Sequence, residues 1–413
     1  MYTFAQLKIR REVEVTDISS LQTFYHRQLA GVDLRFKRYL HSRINWEARL
    51  IAIKGARGVG KTTMILQHIK ERYSNPDEAF YVSLDHFWFQ NHTLQDLVEY
   101  LYSRGISEIY LDEVHKYKGW AGLLKNFYDA YPDLRIVYTG SSILEIDNSK
   151  TDLARRQTVY TLHGMSFREY LEYEGIAEVK PVSLDTLLSA HNELENEICS
   201  KIRVLGHFGK YMEEGYYPFY KDAGEDYMLR LQAVSSLVVE SDIPAVQDVT
   251  YATIWKTKKL LMIIAENVPL QPNVNQLSQA LASTRDSCIR MLYSLDKASL
   301  LNLLTVELKN YKRLVCPEKI YLNNTNLMYA LAGKVNVGTL RETFFMNQLS
   351  AIGSVQAHKR GDFLIDGKYI FEVGGPDKGF SQIAGLDSSW LAIDGIEYGS
   401  DNRIPLWLFG FLY

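Results

Sequence analysis

The sequence predicts an α/β fold, with a parallel sheet covered by helices on both faces. Three observations predict it. Short apolar runs recur near residues 49–54, 79–85, 108–112, 135–139 and 158–162, in the form of buried parallel strands. The segments between them suit crossover helices. The first run, Leu50-Ile51-Ala52-Ile53, leads into a glycine-rich loop and then into a helical stretch, Thr63-Met64-Ile65-Leu66-Gln67-His68-Ile69.

That loop carries the most chemistry. Residues 55–63 read GARGVGKTT, and Gly55, Gly60, Lys61 and Thr62 match the phosphate-loop pattern G-x-x-x-x-G-K-[ST]. Gly55, Ala56, Arg57, Gly58, Val59, Gly60, Lys61, Thr62 and Thr63 are therefore expected to hold a nucleotide. The glycines let backbone N–H groups curl around a polyphosphate. Lys61 would reach the outer phosphates, Thr62 would bind Mg²⁺, and the helix N-terminus would face the anion.

Three later elements complete the expected site. Glu108-Ile109-Tyr110-Leu111-Asp112-Glu113 is a strand ending in two acids. Adjacent residues on a strand point to opposite sides, so the two can hold different roles. Asp112 is assigned to the Mg²⁺ shell and Glu113 to orienting or polarising the attacking water. Arg135-Ile136-Val137-Tyr138-Thr139-Gly140-Ser141-Ser142 ends in hydroxyl residues. There Ser141, with Ser142 in reserve, would hydrogen-bond the γ-phosphate or the water. Asp152-Leu153-Ala154-Arg155-Arg156 supplies two arginines, and Arg155 or Arg156 would neutralise transition-state charge, in cis or from a neighbouring subunit.

GARGVGKTT (55–63), IYLDEVH (109–115), VYTGSS (137–142), DLARR (152–156) and LHGMSFREYL (162–171) together resemble the AAA-type branch of P-loop ATPases, with an added strand and a catalytic glutamate. More narrowly, the chain resembles the prokaryotic AAA-type ATPases that carry a C-terminal domain of unknown function. The resemblance is specific over residues 45 to 172 and looser beyond. It implies ATP binding with Mg²⁺ and ATP hydrolysis, and no particular physiological role.

Composition narrows the setting. A chain of 413 residues has room for several domains. The net charge of −3 gives no global field to recruit nucleic acid or an acidic membrane. Cys199, Cys288 and Cys316 are far apart and lack metal spacing, which reads as reduced thiols in a cytoplasmic protein. The first residues hold no signal-peptide apolar region, and no run of 18 apolar residues occurs, so no membrane partner is expected. The 28 tyrosines have no explanation at this level.

The expected organisation is a P-loop NTPase core of AAA type with a helical lid, a winged-helix domain and a C-terminal α/β restriction-endonuclease-like domain. Residues 1–45 form an N-terminal helical segment, 46–171 the ATPase domain, 172–250 the lid or linker, 251–325 the winged-helix-like domain and 326–413 the last domain. In the winged-helix region, helices are expected over Ile254–Asn267, Val274–Leu281 and Asp286–Ser299, with Ser283 or Thr284 as cap. Leu300–Leu304 and Arg313–Val315 would flank the wing. DNA contact would run through Arg285, Arg290, Lys309, Lys312 and Arg313. Asp286 and Asp296, on the would-be recognition helix, argue against a strong reader and favour a structural brace.

In the last domain a helix is expected to open at Arg341, with strands at Gly361–Asp366 and Tyr369–Gly374. Glu342, Asp362 and Glu372 have the order and spacing of the acids in restriction-endonuclease-like folds. The lysine of such nucleases, two residues past the last acid, is here Gly374. Lys378 lies four further on in a Gly-Pro-Asp turn, where reaching the acids is not expected. The domain thus reads as degenerate, a scaffold or interaction module. The favoured function is an ATPase switch or motor acting on a protein or DNA partner, with homo-oligomerisation allowed. The alternative is an ATP-gated nuclease or DNA-processing effector.

Overall fold

A computed structural model describes residues 18–140, 152–306 and 316–413. Its contacts divide the chain into two units: Met1–Gly55 with Gly60–Leu162, and Ala56–Val59 with His163–Tyr413.

The first unit is built on five strands, β1 (Leu50–Lys54), β2 (Phe80–Ser83), β3 (Glu108–Asp112), β4 (Arg135–Gly140) and β5 (Thr158–Thr161). They lie in the order β2-β3-β4-β1-β5, every neighbouring pair parallel. The connections include α1 (Lys61–Arg72), α2 (Leu94–Ser103) and α3 (Trp120–Ala130). Alternate residues Phe80, Val82, Ile109, Leu111, Ile136 and Tyr138 pack with Leu97, Leu101, Leu124 and Phe127 in one apolar cluster. Ile51, Ile53, Met64 and Ile65 are buried as well. Burial on both faces explains why β1 to β4 read as unbroken apolar runs, whereas the edge strand β5 is exposed at Thr158 and Val159. The order matters for the site, because β4 lies between β1 and β3 and brings the loop after β1 and the acidic end of β3 to either side of its own end.

The N-terminal segment departs from expectation. A helix covers 18–30, but 31–46 is turns and coil. There the side-chain amide of Gln67 donates to the carbonyls of Asp33 at 2.7 Å and Phe36 at 2.8 Å. Those backbone acceptors are satisfied by a side chain from α1 instead of by a helix of their own.

The second unit begins with helices α4 (Phe167–Tyr173), α5 (Leu184–Cys199), α6 (Val204–Glu214) and α7 (Tyr227–Leu237), the last running into a π-turn at Val238–Asp242. The sequence Ser166-Phe167-Arg168-Glu169 starts α4 with a full capping box, Ser166 and Glu169 each bonding the other's backbone N–H. Next come α8 (Tyr251–Asn267), α9 (Val274–Ala280), α10 (Arg285–Lys297) and an antiparallel pair, β6 (Leu301–Leu304) with β7 (Lys319–Leu322). Thr284 caps α10. The pair's second strand is thus Lys319–Leu322, while Lys309, Lys312 and Arg313–Val315 lie outside the described residues.

After α11 (Thr325–Leu331) and α12 (Val337–Ser350) the unit ends in β8 (Val355–Ala357), β9 (Phe363–Ile365), β10 (Tyr369–Gly374), β11 (Ser389–Ile393) and β12 (Arg403–Pro405). This sheet has the order β12-β11-β10-β9-β8, antiparallel from β8 to β10 and parallel from β10 to β12. Helix α12 starts at Val337, ahead of the expected Arg341, because Asn336 caps it by accepting from Thr339 N at 3.1 Å. The tyrosines find their reason here. Tyr170, Tyr211, Tyr216, Tyr217, Tyr220 and Tyr227 are all buried. Their hydroxyls satisfy polar groups that an apolar core would strand, as where Tyr211 donates to Met165 O at 2.7 Å and Tyr227 to Asn326 Oδ1 at 2.6 Å.

Candidate nucleotide site and its surroundings

The phosphate loop takes the backbone its glycines permit. Gly58 (φ 86°) and Gly60 (φ 96°) are left-handed, a region that side chains disfavour. Gly60 is the N-cap of α1, and no acid occupies the first turn to compete with an anion. Lys61 is buried and its Nζ donates to Gly55 O at 2.9 Å. Thr62 Oγ1 donates to Asp112 Oδ2 at 2.6 Å. Ala56–Val59 are counted with the second unit. Within it, Arg57 Nη1 donates to Asp242 Oδ1 at 3.2 Å, and Asp242 is buried in the π-turn. The ring of Phe219 stands so close to Gly58 that an added Cβ would meet Cε1 at 2.8 Å. Neither Asp242 nor Phe219 carries a signal in the sequence.

Asp112 is the hub of the first unit's polar cluster. Its carboxylate is buried and accepts from Thr62, from Tyr81 OH at 2.9 Å and from the Thr139 hydroxyl. Burial first, and the Asp112 charge second, push the Tyr81 phenol far up, so Tyr81 stays a neutral donor. Glu113 is bent away by a left-handed backbone (φ 54°, ψ 42°). Its N–H is shared between Thr139 Oγ1 at 3.1 Å and Asp112 Oδ1 at 3.2 Å. Its Oε2 is buried, 3.4 Å from His115 Nε2, and accepts no hydrogen bond.

Thr139 is therefore the residue of β4 that binds both acids, and sequence reasoning passed over it in favour of Ser141. Ser141 and Ser142 lie outside the described residues. The missed signal is strand parity. Ile109 and Leu111 share the apolar cluster with Ile136 and Tyr138, so Asp112 and Thr139 fall together on the opposite face. The two arginines separate. Arg156 Nε donates to Asp129 at 2.8 Å and its guanidinium lies 5.9 Å from the Tyr128 ring centre, whereas Arg155 is exposed.

In the second unit Arg285, Asp286 and Arg290 are exposed on α10. Asp296 is not on that face. Its Oδ1 accepts from Leu303 N at 3.0 Å, and burial pushes its carboxyl up to about 6. It braces α10 against β6 instead of standing in the open beside Asp286.

The acids of the C-terminal sheet do gather, but around lysines. Lys319 Nζ lies 3.5 Å from Glu342 Oε2 and 3.4 Å from Asp362 Oδ1. Asp362 Oδ2 accepts from Val373 N at 2.9 Å. Burial raises the carboxyls of Glu342 and Glu372. Burial also works against the Lys319 ammonium, yet the charges of Glu342 and Asp362 more than offset it and leave its pKa raised. Lys378, expected to stand clear, pairs with buried Glu372. Its stem covers Gly374, where a Cβ would meet Lys378 Cγ at 2.5 Å. The bare glycine is what lets the lysine fold back. Among the described residues no group of three or more His, Cys, Asp or Glu is arranged to hold a metal ion. Nor is any helix among them long and apolar enough to cross a membrane.

Comparison with known proteins bears on the first of these regions. An uncharacterised protein of Methanocaldococcus jannaschii, MJ1637, is 28% identical over 277 residues, which is 62% of this chain. The chain spans 57% of that relative's length. Among solved structures, AMPPCP-bound DnaA from Aquifex aeolicus is 16% identical over 62% of this chain and 84% of its own, with a TM-score of 0.25. C. elegans PCH-2 is 16% identical over 53% and 67%, with a TM-score of 0.27. The S. cerevisiae Hsp104–ADP complex is 13% identical over 66% and 42%, with a TM-score of 0.28. Likeness at such scores carries no argument. Residues 47–171, however, match the family described as "AAA domain". That match covers the loop and the acidic strand end, and the five-stranded parallel sheet carries both: residues 47–171 are an AAA domain with a P-loop core.

Proposed function

We propose that the chain binds ATP with Mg²⁺ at the phosphate loop, hydrolyses it, and uses the cycle as a switch on a partner. The observation that carries this reading is Asp112, a buried carboxylate that, among the described residues, is held by hydroxyl and N–H donors, one of them Thr62. Hydroxyl donors leave its negative charge uncompensated. A Mg²⁺ ion fits that set, because such ions take one or two protein oxygens and complete their shell with water and phosphate. Thr62 and Asp112 would hold it, and it would supply charge neutralisation on the phosphates.

The chain's own residues supply the rest. Lys61 Nζ gives up Gly55 O for a phosphate oxygen, a stronger, charge-assisted acceptor. Glu113 turns from His115 toward the attacking water and takes up its proton as the water adds. Thr139 holds the Glu113 backbone while that happens. Of the two arginines, Arg155 is free to complete a neighbouring copy's site, since Arg156 is tied to Asp129.

The nuclease alternative is disfavoured by Lys319 and Lys378, which compensate the acids a catalytic cation would need. Calorimetry and phosphate release test the main reading together. Lys61→Ala should abolish ATP binding without unfolding the chain. Glu113→Gln should still bind ATP and turn over roughly 10²-fold more slowly, as for a lost general base. Wild-type binding by the first variant, or wild-type turnover by the second, would sink it.

A further inference from the structure

Helix α8 leaves one face uncovered. Leu260, Leu261, Ile264 and Ala265 bury its other side. Tyr251 is 84% exposed, Trp255 56% and Met262 45%. At 100° per residue these three, with Lys258 and Lys259, fall within about a third of the helix circumference. No acid occurs on the helix before Glu266. Apolar side chains of this size are seldom left in water together without a partner.

The chemistry of the face selects the partner. Two aromatic rings one turn apart stand about 6 Å from each other along the axis, roughly two of the ~3.4 Å steps of a nucleic-acid strand. Lys259 Nζ lies 5.6 Å from the Trp255 ring centre and donates to Ala280 O at 2.9 Å, an exposed bond that it can exchange for a charged phosphate oxygen. Lys258 pairs with Glu240, and both are substantially exposed. An exposed pair of that kind contributes little, so the ammonium can exchange its partner for a phosphate. Rings that accept any base, beside cations that accept the backbone, are how proteins hold single strands without reading sequence. A protein partner would use the rings and Met262 equally well but would need carboxylates placed for both lysines, whereas every stretch of a nucleic-acid strand brings its phosphates.

We propose that the exposed face of α8 binds single-stranded nucleic acid, with Tyr251 and Trp255 stacking on bases and Lys258 and Lys259 on the phosphates. This surface is distinct from Arg285 and Arg290 of α10 and does not depend on ATP hydrolysis.

The test uses the full chain and a fluorescein-labelled 20-residue oligothymidylate, followed by anisotropy across a salt series, with intrinsic tryptophan emission read in parallel. Trp255→Ala and Tyr251→Ala should each weaken binding roughly 5- to 100-fold, and Trp255→Phe should recover most of the loss. Replacing Lys258 and Lys259 together by alanine should lower the slope of log K against log salt by about 1.4, the share of two phosphates. Arg285→Ala with Arg290→Ala should leave oligothymidylate affinity unchanged. Failure of the wild-type chain to bind, or equal affinity in the aromatic variants, would overturn the proposal. So would loss of self-association in Trp255→Ala, measured by sedimentation, with oligothymidylate affinity intact, since the face would then belong to a second copy.

Discussion

Removing one hydroxyl from β4 should damage both the stability and the chemistry of the AAA domain. Thr139 is fully buried, donates to Asp112 Oδ1 and accepts from Glu113 N at 3.1 Å. Thr139→Val keeps the shape and loses both bonds. A hydrogen bond to a buried charged group contributes about 1.5–3 kcal/mol. The Glu113 N–H keeps a second acceptor, Asp112 Oδ1 at 3.2 Å, so its own loss is only partial. The expected cost is therefore about 2–3 kcal/mol, or a fall in Tm of roughly 4–12 °C for a unit of this size. Turnover should fall further than stability explains, because the left-handed Glu113 backbone loses one of its two anchors and misplacement of a reacting group by 1 Å costs up to about 10²-fold. Circular-dichroism melts and phosphate release well below both midpoints measure the two effects. Thr139→Ser should be near wild type in each. The reasoning fails if the valine variant melts and turns over like wild type, or if serine is as damaging as valine.

Other consequences follow from the same geometry. Asp296 has a folded pKa of about 6 against 3.8 for the free group, so the folded chain holds its proton more tightly. Its penalty is absent below about pH 4, grows as the pH rises and is complete above about pH 6. Asp296→Asn, whose amide oxygen can still accept from Leu303 N, should stabilise the chain by up to about 3 kcal/mol at neutral pH and leave its stability near pH 4 unchanged. An equal gain at both would rule out burial as the cause. Mixing Glu113→Gln protein with Arg155→Ala protein should restore some turnover, whereas Arg156→Ala should affect the melting of the first unit more than its activity. Restoration with Arg156→Ala alone would reverse that assignment. Plasmid DNA should stay intact with Mg²⁺ or Mn²⁺, with or without ATP, and cleavage that disappears in Asp362→Ala would show the C-terminal acids to be catalytic.

Much of the core was legible because β1 to β4 are buried and the loop after β1 carries a phosphate-binding pattern. All five strands of the first unit fall where the apolar runs lie. What escaped depended on groups distant in sequence. The carbonyls of 33–36 are satisfied by Gln67, which nothing local announces. Thr139 was within reach, since counting by twos from Val137 and from its partner Tyr110 puts it beside Asp112. Asp296 was also within reach, one turn beyond buried Leu292 on the same stripe of α10. Lys378 was not, because its return to Glu372 depends on the direction of a turn and on a missing side chain at Gly374.

The two carboxylate clusters show why only one of them invites a cation. The first gathers Asp112 and Glu113 at the end of β3, the second Glu342 of α12, Asp362 just before β9 and Glu372 within β10, and burial alone would make either a strong attractor of positive charge. In the first unit the donors found on Asp112 are hydroxyls and an N–H, which satisfy its lone pairs without cancelling its charge. An arriving ion needs to displace no more than the Thr62 hydroxyl proton's bond, and Thr62 can then serve it as a ligand. In the C-terminal sheet, Lys319 spans Glu342 and Asp362 while Lys378 holds Glu372, so two ammonium groups stand against three acids. A divalent ion entering there must first expel a lysine whose pKa those same acids have raised, and must leave that ammonium without its partners in a half-buried place. On the function proposed above, the cation would therefore go to Asp112, while the C-terminal acids are held with their lysines as parts of the fold.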